Sequence, residues 1–137
     1  MDRFVKGFIV MSIVYLGLAA ALGILMLADH DLMALRFVHS HLNMLGWVSM
    51  MIYGVGYHIL PRFMGRKLYS ARIGEAQFYL GNIALIAMLV FYTLNVYNPS
   101  GLYRTITMVS GVVEAATVFM FFYNMLMTLL AKDEQPS

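Results

Sequence analysis

A chain of 137 residues that is 61% hydrophobic, with a formal net charge of +2 and a mean hydropathy of +0.75, is too apolar for an ordinary soluble domain, whose apolar share is roughly 45–50%. Its few basic residues fall between apolar runs, so the small positive charge is a topological bias and gives no reason to expect nucleic acid. The absence of cysteine excludes disulfides, iron–sulfur clusters and thioether-linked haem.

The first apolar run covers residues 4–28, enough for the 18–20 residues or so that a bilayer-spanning helix needs. It is too long for a cleaved signal peptide, and Ala19-Ala20-Ala21 lies in its middle with no polar cleavage region after it. Gly17, Ala19, Ala20, Ala21 and Gly23 would let another helix approach closely, within the chain or between chains. Asp29 or Asp31 is placed to cap a second helix over about 32–61. Pro61 is expected to stop it, with Gly65 continuing the turn. A third helix is expected over 74–96, then a turn at Asn98-Pro99-Ser100-Gly101, then a fourth helix over 103–131.

No run carries the charged stripe that a water-soluble bundle would need. The pattern predicts an all-α integral membrane protein: one domain, 1–137, a four-helix bundle in up-down-up-down order. Arg3 and Lys6, the Arg62, Arg66, Lys67 and Arg72 connection, and Lys132 after the last helix outweigh Arg36 and Arg104 on the other side. The positive-inside rule then puts both termini in the cytoplasm, in a bacterial or archaeal inner membrane.

The chemistry points to His39-Ser40-His41. A histidine inside a membrane helix is costly and is a functional candidate by default. Two of them at i and i+2 point roughly 200° apart, so they cannot clamp one ion from one helix but can each reach a different partner. If the helix starts near Leu32, His39 lies about two turns inside, roughly 10 Å. Asn43 and Trp47 follow within two turns, Arg36 precedes by one turn, and Arg104 opens the fourth helix on the same side. The plainer reading makes the histidines interfacial and lets the arginines snorkel to the headgroups. The chain's thirteen methionines read mostly as flexible filler.

The stretch His39-Ser40-His41-Leu42-Asn43-Met44-Leu45-Gly46-Trp47-Val48, with Tyr57-His58-Ile59-Leu60-Pro61-Arg62-Phe63-Met64-Gly65, resembles the tenth helix of the catalytic subunit of haem-copper oxidases. It is most similar to the C-type oxidases and the nitric oxide reductases. The resemblance implies haem iron as the metal. It makes His39 the ligand of a high-spin, gas-binding haem and His41 a ligand of a low-spin, electron-transferring haem. Arg36 or Arg104 would pair with a propionate, and Trp47 and Asn43 would line the cofactor. The haem would be non-covalent and of b type. A small redox protein or quinol would be the partner beside the bilayer.

The family's subunits carry many more helices, a second low-spin ligand, a histidine triad and a cross-linkable tyrosine, none of which has a counterpart in this chain. His30 reads as a loop residue, and His58 is seventeen residues past His41, about 25 Å along a helix. One chain therefore does not assemble an oxygen-reductase site, and any enzymatic activity is left open. A homodimer would bring two His41 side chains to one haem.

Glu114 is the only carboxylate deep in an apolar run. It is expected to be neutral or paired, serving either as a proton or metal site or as a cross-helix hydrogen-bonding group to Asn82 or Thr117. The leading expectation is a haem protein for electron transfer or for binding a diatomic gas such as NO or O2. The alternatives are a non-catalytic accessory or assembly subunit of a respiratory complex, and a metal-binding membrane protein without haem.

Overall fold

The computed structural model describes residues 1–130, and every regular element among them is helical. The expected helix end at Ala131 and the basic Lys132 lie outside the described residues. Helix α1 is Arg3–Ala28. A 3₁₀ helix, His30–Leu35, leads into α2, Arg36–His41, then a π-helix, Leu42–Ser49, then α3, Met50–Phe63. Helices α4, Ala71–Tyr97, and α5, Gly101–Leu130, complete the chain. Of these, α1, α4 and α5 are long and apolar enough to cross a membrane, with mean hydropathies of 2.5, 1.7 and 1.7 over their most apolar windows.

Surface and interior agree with that composition. Large apolar side chains such as Ile13, Ile24, Ile83, Val112 and Phe119 face outward. Ser12, Gln77, Asn82, Ser110, Glu114, Thr117, Asn124 and Thr128 are buried. A water-soluble bundle shows the reverse arrangement; a bundle solvated by lipid gains from polar groups that bond across its interior.

Three local details differ from expectation. Asp29 does cap, its Oδ1 accepting from Asp31 N–H at 2.9 Å, but the first turns it opens are 3₁₀ and the α-helix proper begins at Arg36. Pro61 does not stop the helix; it lies inside α3, which runs on to Phe63. Gly65 supplies the stop, with φ at 62°, a left-handed conformation that glycine adopts at no steric cost. Gly65 N–H reaches Arg62 O at 3.0 Å and Arg66 N–H reaches Pro61 O at 2.9 Å, the paired bonds of a Schellman ending. Finally, α4 starts at Ala71, because Ser70 Oγ accepts from Ile73 N–H at 3.3 Å. The turn at Asn98–Ser100 lies where expected, fastened by Ser100 N–H donating to Asn95 Oδ1 at 3.0 Å.

The helical path from residue 36 to residue 63 is unbroken and packs along α1. Gly23 meets His39, Tyr15 meets Gly46, and Ile9 meets Gly54. A Cβ added at Gly46 would lie 2.7 Å from Tyr15 Cβ, and one at Gly54 would lie 2.6 Å from Ile9 Cγ1, so both positions are close helix approaches. Their spacing carries information. His39 to Gly46 is seven residues, which returns an α-helix to nearly the same face; Gly46 to Gly54 is eight, which overshoots by about 80°. The wider π turns absorb the extra residue and keep all three positions facing α1. Below them, Phe4, Phe8, Tyr53, Tyr57, Phe78 and Phe121 interlock, largely edge to face.

Candidate functional site

The two histidines close α2, and the π-helix begins at the next residue. Such π segments recur at functional sites. Each imidazole is half-buried and anchored through Nδ1. His39 Nδ1 donates to Ala19 O of α1 at 3.0 Å, and His41 Nδ1 donates to Phe37 O at 2.8 Å. A carbonyl oxygen only accepts, so these bonds place a proton on Nδ1 of both rings, and Nε2 is the nitrogen that carries the lone pair of the neutral imidazole. That is the arrangement found in metal-ligating histidines, where a carbonyl fixes tautomer and orientation.

The rings point to different surroundings. His39 lies against α1, its Cε1 atom 3.0 Å from where a Gly23 Cβ would be. The His41 ring is 3.8 Å from that of Phe37, which stacks at 4.1 Å on Tyr92 of α4. Asn43 follows His39 by one turn; its amide nitrogen donates to His39 O at 2.9 Å and lies 3.4 Å from His39 Nε2. His41 Nε2 has no hydrogen-bond partner among the described residues.

The other expected residues occupy separate places. Arg36 and Arg104 are exposed, at the end of the bundle marked by the Phe37–Tyr92 stack and the Asn98–Ser100 turn. Trp47 is half-buried within the π-helix. His30 is exposed at the start of the 3₁₀ helix. The guanidinium of Arg62 rests on the ring of His58 at the opposite end. Among the described residues, no group of three or more His, Cys, Asp or Glu side chains converges on a metal position. An open apolar groove of about 470 Å³ between α1, α2 and α4 is lined by Tyr15, Leu22, Val38, Leu42, Leu89 and Thr93, with neither histidine in its wall.

Glu114 forms neither of its expected hydrogen bonds. Thr117 Oγ1 donates instead to the main-chain oxygen of Glu114, at 2.7 Å. Asn82 donates to Phe78 O at 2.7 Å and accepts from Tyr15 OH at 2.8 Å. Glu114 is 3% exposed, and its Oε2 has no hydrogen-bond partner among the described residues. The carboxyl instead lies over Gly81, 3.8 Å from the Cβ position of that glycine.

A second polar group lies nearer the Arg62 end. Tyr57 OH donates to Gln77 Oε1 at 2.6 Å. Asn124 donates to Ser70 O at 2.8 Å and accepts from Ser70 N–H at 3.0 Å, tying α5 to the start of α4. Gln77 Nε2 is buried without a partner among the described residues. The histidine motif gives no hint of these residues, but α5 does: Ser110, Glu114, Thr117, Asn124 and Thr128 recur at helical spacing along one face.

No protein-family model, curated protein or solved structure matches the chain.

Proposed function

We propose that this chain is a small haem-binding integral membrane protein, related through its His39-x-His41 helix to the catalytic subunit of haem-copper oxidases and nitric oxide reductases. In this reading it works in electron transfer or in binding a diatomic gas. The observation that carries the proposal is the anchoring of both imidazoles through Nδ1, which leaves the ligating nitrogen of each ring on a different side of one helix. Two imidazoles held in this way suit an iron porphyrin bound without covalent attachment, and b type is what the resemblance implies. A bound haem would supply an iron that exchanges single electrons and, with one coordination position open, takes a diatomic ligand.

The chain's own residues have defined tasks in this account. His39 Nε2 and His41 Nε2 are the iron ligands. The carbonyls of Ala19 and Phe37 fix ring orientation and basicity, and Asn43 steadies His39. The Phe37–Tyr92 stack covers one face of His41. Arg36 and Arg104, exposed at the same end, pair with propionates there, and Trp47 packs beside the cofactor.

The proposal counts the path from His30 to Phe63 as a span alongside α1, α4 and α5, giving four helices in up-down-up-down order. By the positive-inside rule, Arg62, Arg66, Lys67 and Arg72 favour a cytoplasmic α3–α4 connection and cytoplasmic termini, in what we take to be a bacterial or archaeal inner membrane. A small redox protein or a quinol exchanges electrons with it, and a second copy of the chain completes a bis-histidine site from two His41 residues. Titration of haem into purified, lipid-reconstituted protein tests the reading. Saturable binding with a shifted Soret band, lost in the His39→Ala/His41→Ala double variant, is expected. A protein that takes up no haem would contradict the reading and leave the accessory subunit and the haem-free metal-binding protein as the alternatives.

A further inference from the structure

We propose that Glu114 is an internal proton-binding site, hydrated by a buried water held between α4 and α5 and open to the Arg62 end of the bundle by way of Tyr57 and Gln77. The inference does not depend on haem.

Two orphaned polar atoms carry it. Among the described residues, Gln77 Nε2 and Glu114 Oε2 are both buried without a hydrogen-bond partner, in residues 0% and 3% exposed. A buried polar group left unpaired costs about 1–3 kcal/mol, so each calls for an account. Gln77 and Gly81 stand one α4 turn apart on the same face, about 6 Å along the axis. The Glu114 carboxyl lies over Gly81, and Thr117 Oγ1 is beside it, 3.5 Å from the same Cβ position. The absence of a side chain at Gly81 leaves a gap about the size of a methyl group there, closed on its third side by Met50 Cε at 3.7 Å. A water in that gap accepts from Gln77 Nε2, donates to Glu114 Oε2 and donates to Thr117 Oγ1. Three partners are typical of a buried water.

The gap has a route to the outside. Tyr57 OH donates to Gln77 Oε1 at 2.6 Å, which turns the Gln77 amide so that its Nε2 faces onward. The same tyrosine lines a pocket of about 190 Å³ at the Arg62 end, together with Asp2, Val5, His58, Pro61 and Arg62. Tyr57 therefore has one side on that pocket and the other on the buried file. Toward the opposite end, Met88 and Leu89 are buried and apolar, and the groove that Tyr15 and Leu89 line there is apolar too. The other titratable groups facing the carboxyl are the phenols of Tyr15 on α1 and Tyr53 on α3.

Chemically, a hydronium arriving through the pocket passes a proton along water that runs beside the Tyr57–Gln77 pair to the Glu114 carboxylate, protonating Oε2 to give neutral Glu114 and leaving a water. Release reverses the step, and no other group is oxidised or reduced. Gln77 and Tyr57 are positioning residues: an amide holds the water but does not carry the proton.

The test is infrared spectroscopy of the full chain in lipid vesicles during transfer from H2O to D2O. The carboxylic C=O band belonging to Glu114 is identified by its loss in Glu114→Gln. Prompt deuterium shift of that band in the wild type is expected, slowed about tenfold in Tyr57→Phe and in Gln77→Leu, the effect of losing one hydrogen bond of ordinary strength. Tyr57→Phe keeps the ring packed on Phe4 and Phe121, so the comparison survives if Gln77→Leu fails to fold. The proposal is overturned if no Glu114-dependent band appears at any pH, if the band never exchanges, or if both variants exchange at the wild-type rate.

Discussion

At the scale of single residues, the histidine pair carries the account. Its i, i+2 spacing was legible in the sequence as two side chains facing apart, and the structure sets one against α1 and the other beside Phe37 and Tyr92. The carbonyl that anchors His39 was not legible, because Ala19 lies twenty residues away on another helix; the Phe37 carbonyl is local, four residues before His41, and was in principle readable. Arg36 and Arg104 make a separate prediction. Both are exposed at the Phe37 end, where a propionate would shield its ion pair from water. The double Arg→Gln variant should retain haem about tenfold less tightly, as measured by transfer to apomyoglobin, with an unchanged helical spectrum. Equal retention would remove the arginines from the site.

At the scale of elements, the run from α2 to α3 depends on an extra residue taken up by π turns. The seven-then-eight spacing of His39, Gly46 and Gly54 held that information, yet an expectation of uninterrupted α-helix passes over it, since periodicity alone does not say which residues face α1. Gly46→Ala should cost about 1–3 kcal/mol through overpacking against Tyr15, read as a lowered midpoint in thermal unfolding. Gly17→Ala should cost nothing, because no atom lies within 4 Å of its Cβ position and alanine favours helix. Equal effects at the two positions would contradict the packing described. The end of α3 gives a further test. Gly65→Ala meets no neighbour but must adopt φ of 62°, a conformational penalty of about 1–2 kcal/mol. Proline was expected to end this helix, but the left-handed glycine after it does so.

At the scale of the whole molecule, the inside-out distribution was the most legible property: apolar runs predicted lipid-facing helices, and three helices long enough to cross are present. The interior was less legible. A single glutamate drew attention, with Asn82 only as its expected partner, while Gln77 and Asn124 did not, because their partners come from other helices. Self-association is predicted at this scale. Gly17, Ala20 and Ala21 are exposed on α1, whereas His41 lies beside Tyr92 on α4, so the two contacts are tested separately. Gly17→Leu should leave the fold intact and weaken a dimer held through α1, as read by analytical ultracentrifugation in detergent; an unchanged dimer excludes that face. The central claim is haem ligation by the pair, and its most direct test is the reduced-minus-oxidised visible spectrum of the protein purified from its native membrane. The account predicts a Soret band with resolved α and β bands, loss of the low-spin signal in His41→Ala, and loss of a distinct high-spin population in His39→Ala. A double variant that keeps the wild-type spectrum, or a colourless wild-type protein, would contradict it.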